Sequence, residues 1–159
     1  MKSEKLNAIK QIKKELEEFR TEPIYSCGVT VGLINPKDVF KWQITMTGPS
    51  DTPYAGGLFI LHAEFPENYP NSAPKIKFTN KMYHLNVDSN GDVCISTLSK
   101  WTKNTTMAEV LTLIFALFYK QNPESSFYSD RAELFKNNKK EFDKNAREWT
   151  QKYASFKDD

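Results

Sequence analysis

Between residues 27 and 78 the chain repeats one pattern, a run of strand-forming residues followed by turn chemistry. The runs are CGVTVGLI, VFKWQITM, LFILHAEF and KIKF, with Asn35-Pro36, Gly48-Pro49 and Gly56-Gly57 as punctuation. In the second run Phe40, Trp42, Ile44 and Met46 stand at alternate positions, the period-two spacing that turns one face of a strand inward. Strands joined by short turns pair with their neighbours, so a four-stranded antiparallel meander is predicted. Before the last strand, Pro66, Pro70 and Pro74 in PENYPNSAP remove three backbone donors and fix φ, which makes this segment a rigid loop.

Helical periods flank the strands. Leu6, Ile9, Ile12, Leu16 and Phe19 recur at three- and four-residue steps, with Ser3 placed to cap the start and Pro23 beyond the end. The opposite face carries Lys10, Gln11, Lys13, Lys14, Glu17 and Glu18 and reads as a solvated surface. Further on, Thr106 and Glu109 form a capping box, and the apolar run at residues 110–119 reads as a buried core helix, too short for the roughly 20 residues a bilayer demands. Ser129 and Asp130 can cap another helix ending near Lys144, and residues 146–153 a last one. The expected fold class is α+β: an N-terminal helix, a four-stranded antiparallel meander sheet, a long loop, a central helix and C-terminal helices, packed against one sheet face. A length of 159 residues that are 39% hydrophobic fits one domain, residues 1–159, and no repeat or linker divides it.

Charge and cysteine usage exclude several functions. Twenty-two Lys and Arg against 20 Asp and Glu leave a net charge of +2, too small a field to draw nucleic acid or a membrane surface. Cys27 and Cys94 belong to no CxxC or Cys/His cluster, so no metal site is expected. The N-terminal stretch MKSEKLNAIKQIKKELEEF lacks a continuous apolar region and does not read as a signal peptide; the thiols are expected to stay reduced, in cytoplasm or nucleus. Nothing in the pattern demands an oligomer, and a monomer is expected.

From residue 79 to residue 104 the hydrophobic period disappears. A loop of this length inside a compact domain is usually functional. It holds Tyr83, His84, Asn86, Cys94 and Trp101. Cys94 follows the turn Asn90-Gly91-Asp92, where a buried structural thiol would be expected on a strand or helix face instead. A hydrolase nucleophile needs a base, and His84 and His62 are the only histidines; His62 falls on the third strand, and no orienting carboxylate or Gly-rich oxyanion loop accompanies His84. A thioester carrier asks for less: an exposed thiolate, and a fixed amide donor for the oxyanion that forms when an amine attacks. Asn86 fits the donor role and fits a plain turn residue equally.

The run YHLNVDSNGDVCI resembles the active-site signature of ubiquitin-conjugating enzymes, in which His-Pro-Asn precedes the thioester cysteine by a short turn and Trp follows. FKWQITMTGPSDTPYAGGLFILHAEFPENYP is similar to that family's second and third strands with their Tyr-x-Gly-Gly hairpin, and NPESS and REWTQKYA match further on. The resemblance implies a transferase in which Cys94 carries ubiquitin as a thioester, Asn86 orients the loop or stabilises the oxyanion, and Ser125 helps to place the incoming lysine. Tyr83, His84 and Leu85 are then structural parts of the loop. Lys10 and Lys14 on the first helix would meet the activating enzyme, which consumes ATP upstream, and this chain would bind no cofactor itself. The proline loop and the segment after Trp101 would meet RING or HECT-type ligases.

Three departures stand out. The signature proline is Leu85, which restores an N–H donor; the apolar ligase-contact position of the proline loop is Asn71; and Lys103-Asn104 replaces a Pro-Ala pair. The interval from Cys94 to Trp101 is also one residue shorter than is common. Ligase contacts are therefore expected to be atypical. Two alternatives share the fold: a conjugating enzyme for another ubiquitin-like modifier, and a non-catalytic ubiquitin-binding scaffold.

Overall fold

The computed structural model describes residues 2–21, 28–93 and 99–155; Cys27 and Cys94 lie outside them. Helix α1 (Lys2–Thr21) leads into strands β1 (Val29–Asn35), β2 (Asp38–Thr47), β3 (Leu58–Glu64) and β4 (Lys75–Phe78). Helices α2 (Met107–Ala116), α3 (Ser129–Asn137) and α4 (Lys139–Tyr153) follow, with a 3₁₀ turn at Pro123–Ser125. The sheet has the order β1-β2-β3-β4 with every pair antiparallel, the predicted meander.

Alternation decides which side of this sheet is wet. Register aligns Val31, Ile44, Leu61 and Phe78 in one row and Leu33, Trp42, Ala63 and Ile76 in the next. All of these outside β1 are buried, whereas Gln43, His62 and Lys77 between them are exposed. The inward rows meet α1 along Ala8, Ile12 and Leu16 and meet α2 along Met107, Val110, Leu111 and Ile114, all in one apolar cluster. Phe118, just past α2, stacks against Phe59 and Tyr54 at 5.1 and 5.5 Å between ring centres.

Element boundaries depart from the sequence expectations in four places. Ser3 lies within α1, which is already helical at Lys2, and Leu6 is 58% exposed, so no packing marks the predicted start. The run at 110–119 is regular only to Ala116 and is not wholly buried: Leu113 and Tyr119 are 43% and 58% exposed. The C-terminal helices divide at Asn138, not near residue 145, because the Asn138 side chain caps α4 by accepting from the Glu141 N–H. The β2–β3 connection is no short turn: residues 48–57 carry Tyr54 back into the core, fully buried.

One polar side chain joins these layers. Glu15 projects from the buried stripe of α1 and is 3% exposed. Its Oε1 accepts the N–H of Met107 at 2.8 Å, one of the amides that the first turn of α2 cannot satisfy internally. Oε2 accepts from the Tyr69 hydroxyl at 2.5 Å and from Gln11 Nε2 at 3.2 Å. Burial and the Glu15 contact together push the Tyr69 phenol well above its usual range. Thr106 caps the same helix by accepting from Glu109 N–H. Replacement Glu15→Ala strands the Met107 amide and the Tyr69 hydroxyl in the core, and is expected to lower the unfolding free energy by about 3 kcal/mol. Tyr69→Phe removes a single donor and is expected to cost about 1 kcal/mol. Urea unfolding of the two variants beside the parent checks the ratio.

Candidate functional site

Residues 82–87 pass through the interior with all six side chains buried, and none of the first five is in a helix or strand. Such a segment must find partners for its peptide groups outside any ladder. The Tyr83 carbonyl accepts from the Tyr54 hydroxyl at 2.6 Å; the Leu85 N–H donates to Gln121 Oε1 at 2.8 Å; the Leu85 carbonyl accepts from Phe127 N–H at 3.0 Å. His84 supplies two more bonds. Its Nε2 lies 2.8 Å from the Leu117 carbonyl, one of those left open where α2 ends, and its Nδ1 accepts the Asn86 N–H at 3.0 Å. The tautomer follows: Nδ1 is bare and Nε2 carries the hydrogen. Both ring nitrogens are occupied, so His84 offers no free nitrogen to activate a nucleophile, and His62 sits exposed on β3.

Asn86 is wholly buried, and its amide spans to the segment before α3. Oδ1 accepts Asn122 N–H at 2.8 Å, while Nδ2 donates to the carbonyls of Asn122 and Ser125 at 2.9 and 3.2 Å. Both amide hydrogens are thereby engaged. Ser125 remains exposed at the surface of this clamp, its Oγ 3.3 Å from Asn122 Nδ2. Tyr83 is a packing residue: its ring meets Phe142 and Trp149, and the Arg131 guanidinium lies 4.4 Å from its centre.

Beyond Asn86 the chain makes a tight, well-bonded turn. Asp88 Oδ1 accepts the amides of Asn90 and Asp92, and Gly91 N–H donates to the Asp88 carbonyl. Gly91 has φ +87°, and a Cβ there would sit 2.0 Å from the Phe78 carbonyl oxygen, so only glycine fits. The turn brings Val93 opposite Val87 as an antiparallel bridge. Cys94, the next residue, lies outside the described residues.

The two segments expected to face ligases lie side by side. Trp101 Nε1 donates to the Pro70 carbonyl at 2.7 Å and its ring lies 5.7 Å from that of Tyr69, so the proline loop and the segment after Trp101 adjoin. Asn71, Lys103 and Asn104 are exposed there, as are Lys10 and Lys14 along α1. Sequence reasoning missed Tyr54, Gln121 and Glu15. The Tyr-x-Gly-Gly hairpin drew attention to the first as part of a turn; nothing in the sequence singled out the other two. Among the described residues no group of three or more His, Cys, Asp or Glu is placed to hold a metal ion, and no helix is long and apolar enough to cross a membrane.

Burial lowers the His84 pKa from 6.5 to about 4, only partly offset by the Leu117 carbonyl. The unfolded chain binds a proton near pH 6.5 that the folded chain refuses until about pH 4, so stability declines as pH falls through that window. The contribution at stake is about 3 kcal/mol, and it is fully present above pH 6.5. A series of urea midpoints from pH 7 to pH 4 is expected to show this decline, and His84→Gln, with no ring to protonate, to flatten it.

The sequence model of the family described as ubiquitin-conjugating enzyme matches residues 11–150. Among solved structures, a crystal structure of a proposed ubiquitin-conjugating enzyme from Plasmodium yoelii superposes with a TM-score of 0.84 at 30% sequence identity, over 94% of this chain and 97% of that one. Members of this family are generally transferases that work with an activating enzyme, ligases and ubiquitin-like proteins. A match spanning sheet, loop and C-terminal helices shows that the chain belongs to the ubiquitin-conjugating enzyme family.

Proposed function

We propose that this chain accepts ubiquitin as a thioester on Cys94 from an activating enzyme and transfers it to a substrate lysine, usually with a ligase. The observation that carries the choice of residue is the Val87–Val93 bridge: Cys94 is joined to Val93, and Asn86 to Val87, by one peptide bond each. In the first step the Cys94 thiolate attacks the activated C-terminal carbonyl and the activating enzyme's group leaves. In the second, a lysine amine attacks the thioester carbonyl, an amide forms, the amine loses a proton and the Cys94 thiolate departs.

Roles for the other residues follow from their surroundings. With both amide hydrogens bonded to carbonyls of residues 122 and 125, Asn86 acts by orienting the loop, not by donating to the oxyanion. Ser125, exposed beside that clamp, meets the incoming lysine. Lys10 and Lys14 present charge to the activating enzyme, and the polar rim of Asn71, Lys103 and Asn104 selects ligases other than those that insert an apolar anchor. ATP is consumed by the activating enzyme, this chain binds no cofactor directly, and a reduced thiol of this kind suits cytoplasm or nucleus.

Incubation with activating enzyme, ATP and ubiquitin is expected to give an adduct that thiol reductants remove and that Cys94→Ala abolishes. A folded chain that forms no adduct with ubiquitin or with any of a panel of ubiquitin-like modifiers sinks the proposal and leaves the scaffold; charging by another modifier alone changes the cargo. Asn86→Ala leaves the Asn122 amide without its acceptor and is expected to cost about 2 kcal/mol of stability. In single-turnover discharge to free lysine, the same variant is expected to be slowed at least as strongly at saturating lysine as at low lysine.

A further inference from the structure

We infer that Gln121 is a positioning residue for the loop that carries Cys94, acting through the Leu85 peptide. The inference rests on the thioester reading above. Leu85 is fully buried, so its N–H has no access to water and needs a protein acceptor. Gln121 Oε1 is that acceptor, at 2.8 Å. The other end of the same amide, Nε2, donates to the Tyr54 hydroxyl at 2.8 Å, and that hydroxyl donates to the Tyr83 carbonyl at 2.6 Å. Donor and acceptor logic fixes the orientation: the Leu85 N–H requires an oxygen, and a phenol already donating to a carbonyl requires an N–H.

Of the peptide groups on either side of His84, one is thus tied to Gln121 directly and the other through the Tyr54 hydroxyl. The tie is reciprocal with the Asn86 clamp. Gln121 reaches from its own segment to the backbone of residue 85, while Asn86 reaches from the loop to the backbone of the next residue, Asn122. Side chains hold the two segments together beside one backbone bond, from the Phe127 N–H to the Leu85 carbonyl. The family signature has proline at this position, which has no N–H and a fixed φ. Leu85 brings the unsatisfied donor, and Gln121 supplies both the acceptor and the constraint. Without Gln121, the Leu85 peptide must rotate or admit water, and either shift passes through Asn86 and Val87 to the Val93 side of the turn.

The test uses the full chain, charged with activating enzyme, ATP and ubiquitin, in single-turnover discharge to free lysine, alongside hydrogen exchange of the Leu85 amide by NMR. Gln121→Met keeps the length of the side chain and removes both hydrogen bonds; Gln121→Glu keeps an acceptor for Leu85. Gln121→Met is expected to slow discharge about tenfold at saturating lysine, without a matching rise in the lysine concentration for half-maximal rate, and to speed Leu85 exchange more than tenfold beyond neighbouring core amides. Gln121→Glu is expected to retain slow exchange at Leu85. In a Leu85→Pro background, which has no N–H to satisfy, Gln121→Met is expected to add little. Wild-type discharge and protection in Gln121→Met, or an undiminished penalty in the proline background, overturns the inference. A parent chain that never charges defeats the thioester reading instead, and Leu85 exchange then decides alone whether Gln121 holds that peptide.

Discussion

The whole arrangement turns on one constraint: an irregular stretch of backbone, residues 82–87, crosses the interior where water cannot satisfy it. A buried peptide group without a partner costs on the order of 1–3 kcal/mol, so each must be met by something brought from elsewhere. The partners come from all around the fold. Tyr54 arrives from the β2–β3 connection, Leu117 and Gln121 from the chain leaving α2, and Phe127 from the approach to α3. His84 and Asn86 complete the set from within the stretch itself. Sheet and helices thus act as a frame that delivers donors and acceptors to one line of backbone, and that line leads straight to the turn before Cys94.

Apolar packing supplies the bulk of the frame's stability, and a few buried polar contacts decide how its parts are set. The inward rows of β2, β3 and β4 bury large side chains in register, which favours a compact sheet against helices without dictating where each helix ends. Glu15, with the Thr106 cap, marks where α2 starts. By accepting the first amide of α2 and the Tyr69 hydroxyl at once, it ties the helix bearing Lys10 and Lys14 to the proline loop bearing Asn71 and to the start of the central helix. Trp101 continues the line to the segment of Lys103 and Asn104 through the Pro70 carbonyl. The surfaces proposed to meet different partners therefore share one rigid support.

His84 illustrates how such a frame changes a residue's chemistry. In an open loop an imidazole with a pKa near 6.5 is a proton carrier at neutral pH. Here burial pushes it to about 4, and two hydrogen bonds hold a single tautomer, so the ring serves as a rigid pair of one donor and one acceptor. The same logic applies to Asn86, whose amide is consumed by the backbone it joins. Both side chains are taken up by bonds to backbone, and Ser125 is exposed beside them.

Local patterns were readable in the sequence: the period-two alternation that makes four strands, the period of the first helix, the Thr106 cap, and the motif order that marks the family. The periods and the cap are properties of neighbours a few residues apart, where steric and hydrogen-bonding rules act; the family was legible only as a resemblance of motifs. Helix ends were less readable, because the break at Asn138 and the end of α2 depend on caps and on which side chains find burial. The roles of Glu15, Tyr54 and Gln121 were not readable at all. No local pattern marks Glu15, yet two of its partners lie 54 and 92 residues away; Gln121 meets Leu85 across 36. Sequence by itself determined the meander, the family and the candidate cysteine. Only the tertiary structure decided which polar groups are shut away from water, and therefore which distant side chains must serve them.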